Sequence, residues 1–152
     1  MTVPRSALLL GLAGVLPFLW GALTTLLPEL GAAVLPYLNP RLIGPFVQLW
    51  YGTIILSFMS GVLWGFATKA EDWQGWGYAL STLPALFCFF FVGRGADNSA
   101  DMLIVGFSGL LALDYLFYRR GLTPDWWMQL RLLLTALVIA SLTAGLLAGV
   151  LG

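Results

Sequence analysis

The fold is decided by residues 132–151, LLLTALVIASLTAGLLAGVL, a run of 20 residues without a charged side chain. A helix of about 20 mostly apolar residues is long enough to cross the hydrocarbon core of a bilayer. The whole chain has the same character, since 60% of its 152 residues are apolar and only 9% are charged. A soluble domain of this size keeps a large fraction of its surface in water. We therefore expect an integral membrane protein whose first partner is the lipid bilayer.

The composition also excludes several kinds of site. Seven basic and seven acidic residues cancel, so the chain has no basic surface for nucleic acid. It has no histidine, which excludes His-ligated haem and the usual zinc and copper sites supplied by this chain alone. Its single cysteine, Cys88, can form neither an internal disulfide nor a CxxC site. We expect no cofactor.

The apolar runs predict an all-α, polytopic helix bundle, a single integral membrane domain over residues 1–152. It has about five transmembrane helices, predicted near 6–27, 45–68, 75–92, 100–118 and 125–151. Pro17 predicts a kink in the first helix. Helix-start signals precede the fourth, at Asn98-Ser99, and the fifth, at Thr123-Pro124-Asp125. Residues 28–44 contain too many prolines for a span but remain apolar, which predicts an interfacial segment.

Charges and tryptophans indicate how the helices sit in the membrane. If the N-terminus is inside, the inner side holds five basic residues, and the outer side holds two, Arg41 and Arg94. This excess favours an inside N-terminus and, for five spans, an outside C-terminus. Trp126 and Trp127 open the fifth span and are typical of interfacial anchors. Trp20 and Trp64 lie deeper and are candidates for packing or for lining a pocket.

Small residues recur at four-residue intervals in two predicted helices, which places each set on one helix face. The first stripe consists of Thr53, Ser57, Gly61 and Gly65, and the second of Ser141, Gly145 and Gly149. Small residues let membrane helices approach closely, so helix packing is the interpretation that we favour. A stripe that lines a cavity or channel is the alternative.

One ionisable residue, Asp114, lies clearly within a predicted span, where an unpaired charge is costly. Asp114 lies five residues before Arg119, where the fourth span ends, and Arg131 lies five residues after Trp126, where the fifth begins. At 1.5 Å rise per residue both are about 7–8 Å inside the same membrane face. We therefore predict a buried Asp114–Arg131 ion pair in an antiparallel hairpin. The alternatives are side chains that reach water separately and a proton-transfer or transport role for Asp114.

Several blocks of the sequence resemble the transmembrane-protein-69-like family, a domain-of-unknown-function family of bacterial inner membranes with eukaryotic relatives assigned to mitochondria. The blocks are residues 16–18, 51–58, 61, 64–65, 114, 124–126 and 130–135. The resemblance extends over nearly the whole chain and implies a bacterial inner-membrane location, but it implies no established reaction. It makes Tyr51, Trp64, Asp114 and Arg131 the positions of most interest.

Three kinds of function remain open from the sequence. The favoured one is a non-catalytic accessory, scaffold or assembly component bound to other membrane protein subunits. The second is a small-solute or ion transporter or channel that works as an oligomer, with hydroxyl residues along its path. The third, an enzyme, needs paired acids in a cleft, for which the candidates are Asp97 with Asp101 or Glu71 with Asp72. These acids are better explained by polar loops and helix starts, so we expect no enzyme.

Overall fold

The computed structural model describes residues 2–92 and 96–151, with the side chains of all except 96–98 and 149–151. The described residues form helices and turns without any strand, which confirms the predicted all-α bundle. The α-helices are α1 (Arg5–Ala13), α2 (Leu16–Leu26), α3 (Pro28–Val34), α4 (Phe46–Ala67), α5 (Gln74–Phe91), α6 (Ala96–Arg119) and α7 (Trp127–Leu151), and a 3-10 turn covers Pro40–Leu42.

Four stretches in the described residues are long and apolar enough to cross a membrane: Arg5–Leu26, Phe46–Ala67, Ser99–Arg119 and Trp127–Ala148. The fifth long helix, α5, has 18 residues and opens on Gln74, which lowers its hydropathy. The predicted count of five is therefore approximate. Large apolar side chains are exposed on all of these helices, among them Leu10 at 75% and Phe89 at 79%. Such a surface requires an apolar solvent, as expected for a multi-pass membrane protein.

The first predicted span consists of two helices, and its break lies upstream of the predicted kink at Pro17. Helix α1 ends at Ala13, and α2 begins at Leu16. Pro17 has no N–H to donate to the carbonyl of Ala13, so the helix loses a hydrogen bond one turn before the proline. The chain turns tightly there instead, with the N–H of Phe18 donating to the carbonyl of Val15 at 3.0 Å.

The interfacial segment predicted for residues 28–44 contains α3 and the 3-10 turn. The Oδ1 of Asn39 accepts a hydrogen bond from the backbone N–H of Arg41 at 3.0 Å, and it thereby caps the turn. The segment is held against α2, because the Oγ1 of Thr24 accepts from the backbone N–H of Gly44 at 2.8 Å. Only a residue without a side chain fits at position 44, where a Cβ would collide with the backbone carbonyl of Gly21.

Helix α4 is central to the bundle and packs against α2, α5 and α6. Its inner face contributes the fully buried Leu56 and Leu63 to the core. The Oγ of Ser60 accepts a hydrogen bond from the backbone N–H of Ala85 in α5 at 2.9 Å. Ala85 follows Pro84, where the proline disturbs the hydrogen-bond ladder of α5. A side chain of α4 therefore satisfies a backbone group next to the proline of its neighbour.

Helices α6 and α7 form a hairpin with a tight turn. Gly121 follows the end of α6 with a φ of +69°, and the N–H of Leu122 donates to the carbonyl of Phe117 at 3.1 Å. This is the glycine-terminated C-cap that reverses a chain at little strain. Helix α6 begins at Ala96, so the predicted start at Asn98-Ser99 lies inside it, and α7 begins at Trp127, two residues after Asp125. The hydroxyl of Thr123 lies near the carbonyl of Pro124 and does not cap the helix.

Candidate functional site

The most polar place inside the bundle is the carboxylate of Asp114, which is completely buried. Its Oδ2 accepts a hydrogen bond from the Nε of Arg131 at 2.6 Å, and the two groups form a salt bridge. Its Oδ1 accepts from the indole Nε1 of Trp127 at 2.8 Å. Both carboxylate oxygens thus have donors, and the positive charge of Arg131 compensates the negative charge in a place where water is scarce.

The hairpin explains why these three residues meet. The turn at Gly121 brings the last turns of α6 beside the first turns of α7, so Asp114 and Arg131 come level as their spacing predicts. Trp127 and Arg131 are four residues apart on α7 and therefore share a face. From the sequence, Trp127 was predicted only as a membrane-interface anchor. Because Trp127 lies one turn before Arg131 on the same helix face, its contact with Asp114 could have been predicted from this spacing.

Two buried polar atoms beside this cluster have no hydrogen-bond partner in the described part of the chain. They are the Nη2 of Arg131 and the Oγ1 of Thr135. Thr135 follows Arg131 by four residues, so both atoms lie on the same side of α7. The side chain of Arg131 is 7% exposed, and the residue Thr135 is 2% exposed. Orphaned donors at this depth are uncommon and call for an explanation.

Arg131 and Thr135 both line a cavity of about 310 Å³. The cavity lies between the α1–α2 break and helices α4, α6 and α7. Tyr51, one of the positions singled out by the sequence, lines the same cavity, and its ring packs edge-on against Phe18 with centroids 5.4 Å apart. The rest of the lining is mostly apolar, so the polar side chains are those of Arg131 and Thr135 on α7 and of Tyr51 on α4.

The other two tryptophans singled out by the sequence lie elsewhere. The indole N–H of Trp20 donates to the backbone carbonyl of Leu42 at 2.8 Å and helps to fasten the interfacial segment. Trp64 is 48% exposed on α4 and stacks against Tyr78 of α5, with ring centroids 4.6 Å apart. Trp20 therefore packs locally and also lines an open hollow of about 570 Å³ between α2 and the interfacial segment, whereas Trp64 belongs to the outer surface.

The two small-residue stripes face in different directions. In the second, Ser141 and Gly145 are buried, and Gly149 lies outside the residues with described side chains. In the first, Thr53 is half-buried, whereas Ser57, Gly61 and Gly65 are exposed. A Cβ added at Gly61 or Gly65 would meet no atom within 4 Å. The first stripe therefore does not serve the packing of α4 against its own neighbours.

Gln48 is a buried polar residue that sequence analysis missed. Its Nε2 donates to the backbone carbonyl of Phe18 at 3.0 Å and to that of Ser141 at 3.1 Å, which links α2, α4 and α7. Gly21 and Gly145 leave room for it, since a side chain at either position would press against the amide. A lone amide near the start of an apolar helix is a signal that could have identified it, because an amide in hydrocarbon needs partners.

Of the acids considered for an enzyme, those with described side chains do not contact the buried Asp114. Glu71, Asp72 and Asp101 are exposed, and the side chain of Asp97 lies outside the described residues.

Comparison with known proteins places these features in a family. A family model described as "Protein of unknown function (DUF3429)" matches residues 3–147. The chain is 33% identical over 150 residues to Transmembrane protein 69 of Xenopus tropicalis, in an alignment that covers 95% of this chain and 54% of that protein. The chain thus spans about half the length of this relative. No solved structure matches.

Proposed function

The chain belongs to the DUF3429 family of proteins of unknown function, and from its outer surface we propose that it is a non-catalytic, accessory component of a larger membrane complex. The exposed stripe of α4 carries this proposal. We infer that Ser57, Gly61 and Gly65, together with the adjacent Trp64, receive a transmembrane helix of another subunit.

The physics of the bilayer supports this assignment. Lipid tails solvate leucine as well as another helix does, so close packing is what favours helix association. Open space above Gly61 and Gly65 lets a second backbone approach closely. The hydroxyl of Ser57 donates to the carbonyl of Thr53 at 2.9 Å, so its proton needs no hydrogen bond to water on this face. The stripe therefore suits contact with another helix better than contact with a water-filled path.

The transport alternative has less support from the same contacts. Most of the hydroxyls that could line a path already bond to the backbone of this chain. The Oγ of Ser81 donates to the carbonyl of Tyr78 at 2.7 Å, and the Oγ1 of Thr82 donates to that of Ala79 at 2.8 Å. Ser60 holds Ala85, as described above. Asp114 is similarly engaged by Arg131 and Trp127.

We also propose a location and an orientation: a bacterial inner membrane, with the N-terminus inside and the C-terminus outside. Lys69 and Arg120 lie at the same end of the bundle, where they border one cleft with Glu71 and Asp72. The guanidinium of Arg120 lies over the ring of Trp73 at 4.6 Å. Lys69 and Arg120 at this end suit the cytoplasmic side, because the positive-inside rule counts Lys and Arg and gives little weight to acids.

The proposal is tested by replacing the open glycines. Gly61→Leu and Gly65→Leu fill empty space, so the chain itself should fold normally. Gly109→Leu on α6 is the matched control, because a Cβ there also meets no atom within 4 Å. Tagged chains are purified from native membranes in a mild detergent, and the companions are identified by mass spectrometry.

We expect a companion protein with the unaltered chain and with Gly109→Leu, and we expect it to be lost from Gly61→Leu and Gly65→Leu. A chain that always purifies alone contradicts the accessory role. A companion that stays bound to all three variants contradicts the assignment of the interface to α4.

A further inference from the structure

We propose that the cavity beside Arg131 binds a neutral, lipid-dissolved molecule through a carbonyl oxygen. This cavity is distinct from the α4 stripe: it lies between helices and is lined by residues with unpaired donors, whereas the stripe is part of the outer surface. The two proposals rest on different residues and can fail separately.

The polar wall of the cavity defines the ligand's functional group. The Nη2 of Arg131 and the hydroxyl of Thr135 are both donors without a partner in the described residues. They lie on one helix face, and both residues line the cavity. One carbonyl oxygen has two lone pairs and can accept from both donors. Both donor atoms have less than 1 Å² of accessible surface, so a ligand in the cavity has to displace neighbouring side chains slightly to reach them. Its acceptor would then satisfy two groups that otherwise remain unpaired in an apolar interior.

The charge balance indicates that the ligand is neutral. The charge of Arg131 is already compensated by Asp114 through the 2.6 Å salt bridge. A phosphate or carboxylate placed here would add a third charge without a counterion, and burial of such a charge is strongly unfavourable. A carbonyl adds no charge, so it can use the free N–H without disturbing the pair.

The rest of the cavity indicates an apolar body that enters from the membrane. Its volume of about 310 Å³ lies at the lower end of the range for small-molecule sites, about 300–1,000 Å³. Phe18 and Phe107 line the interior, and Leu10 and Phe58 line it as well. The latter two are 75% and 65% exposed, so they form a rim towards the lipid. The helix break at Gly14 borders the site, as interrupted helices border other membrane sites.

Two sources of a neutral carbonyl are dissolved in bilayers: the head group of a quinone and the ester of a glycerolipid. The test therefore uses decylubiquinone and dioctanoylglycerol as separate probes, with decylbenzene as an apolar probe without a carbonyl. The full chain is titrated with each probe in maltoside micelles, and the Tm is measured. A ligand that binds the folded state raises the Tm as its site fills.

The variant Thr135→Val removes the hydroxyl and keeps the branched shape. Because this hydroxyl has no partner, the variant should be at least as stable as the unaltered chain without ligand. Thr82→Val is the control, since Thr82 lies on α5 away from the cavity and its hydroxyl bonds its own helix. Val138→Phe, at another lining position, fills the cavity and provides a second test.

We expect one carbonyl probe to raise the Tm saturably, and decylbenzene to have no such effect. Thr135→Val should weaken the apparent Kd by about five-fold, as for loss of one neutral hydrogen bond, whereas Thr82→Val should leave it unchanged and Val138→Phe should abolish the response. The quinone and the glycerolipid arms identify the source. An absent response to both carbonyl probes, an equal response to decylbenzene, or an unchanged Kd in folded Thr135→Val overturns the proposal.

Discussion

Removal of the Asp114 carboxylate should destabilise the protein far more than removal of both charges together. Asp114→Ala deprives Arg131 of the acceptor that lies 2.6 Å from its Nε and deprives Trp127 of the acceptor 2.8 Å from its Nε1. Removal of one member of a buried pair costs about 3–5 kcal/mol, because the other charge stays buried without compensation. The unpaired indole N–H adds a smaller cost.

The double variant Asp114→Ala with Arg131→Met separates charge from packing. It leaves no buried charge, so the main remaining cost is the unpaired N–H of Trp127, about 1–3 kcal/mol. Two independent sites would instead lose the sum of the two single costs, about 6–10 kcal/mol. The expected coupling free energy between the two positions is therefore several kcal/mol. We expect the double variant to be more stable than Asp114→Ala alone.

The assay is reversible unfolding in mixed micelles, followed by circular dichroism, of the unaltered chain, Asp114→Ala, Arg131→Met and the double variant. Asp125→Ala is the matched control, since this acid is exposed before the start of α7, and we expect a change within about 0.5 kcal/mol. A double variant as unstable as the sum of the single variants would refute the reasoning. So would an Asp114→Ala variant no less stable than the control.

Two further predictions concern how the helices are joined. Ser60→Ala removes the acceptor of the Ala85 N–H and should cost about 1 kcal/mol of unfolding free energy; Ser57→Ala, whose hydroxyl bonds only its own helix, should have little effect, and equal costs for the two would contradict the α4–α5 link. Gly121→Ala places a side chain at a φ of +69° and should lower the unfolding free energy by about 1–2 kcal/mol. The same micelle assay measures this change, and an unaltered stability would contradict the prediction.

The sequence predicted the helices well because the apolar runs are long. The outer ends of the five predicted spans lie within a few residues of the observed helix ends, but the division of the first span into α1 and α2 and the short helix α3 were not predicted. That Asp114 and Arg131 lie at the same depth in the hairpin was predicted from the rise per residue of an α-helix alone. The resemblance to the family was confirmed by the match over residues 3–147.

The sequence could not be used in the same way to predict which face of each helix is buried and which face contacts lipid. In a membrane both the core and the lipid side of a helix are apolar, so hydrophobic periodicity does not distinguish them. Thus the two small-residue stripes had the same pattern, yet Gly145 packs against Gln48 while Gly61 faces outward. The contact between Trp127 and Asp114 was missed because a tryptophan at a helix start is equally typical of an interfacial anchor.

The break between α1 and α2 shows a similar limit. Pro17 indicated a disturbance of the helix, but the position of the break depends on the turn before the proline, where Phe18 bonds to Val15. The cavity beside Arg131 depends in turn on that break and on three further helices, α4, α6 and α7. No local pattern in the chain specifies such a convergence.

Photocrosslinking in native membranes tests the central claim, that the outer face of α4 holds another subunit, most directly. A benzophenone amino acid at position 61 samples the open stripe, and one at position 109 samples an equally open part of α6. The proposed interface predicts a discrete protein adduct from position 61 and none from position 109. Lipid adducts alone from both positions would contradict it.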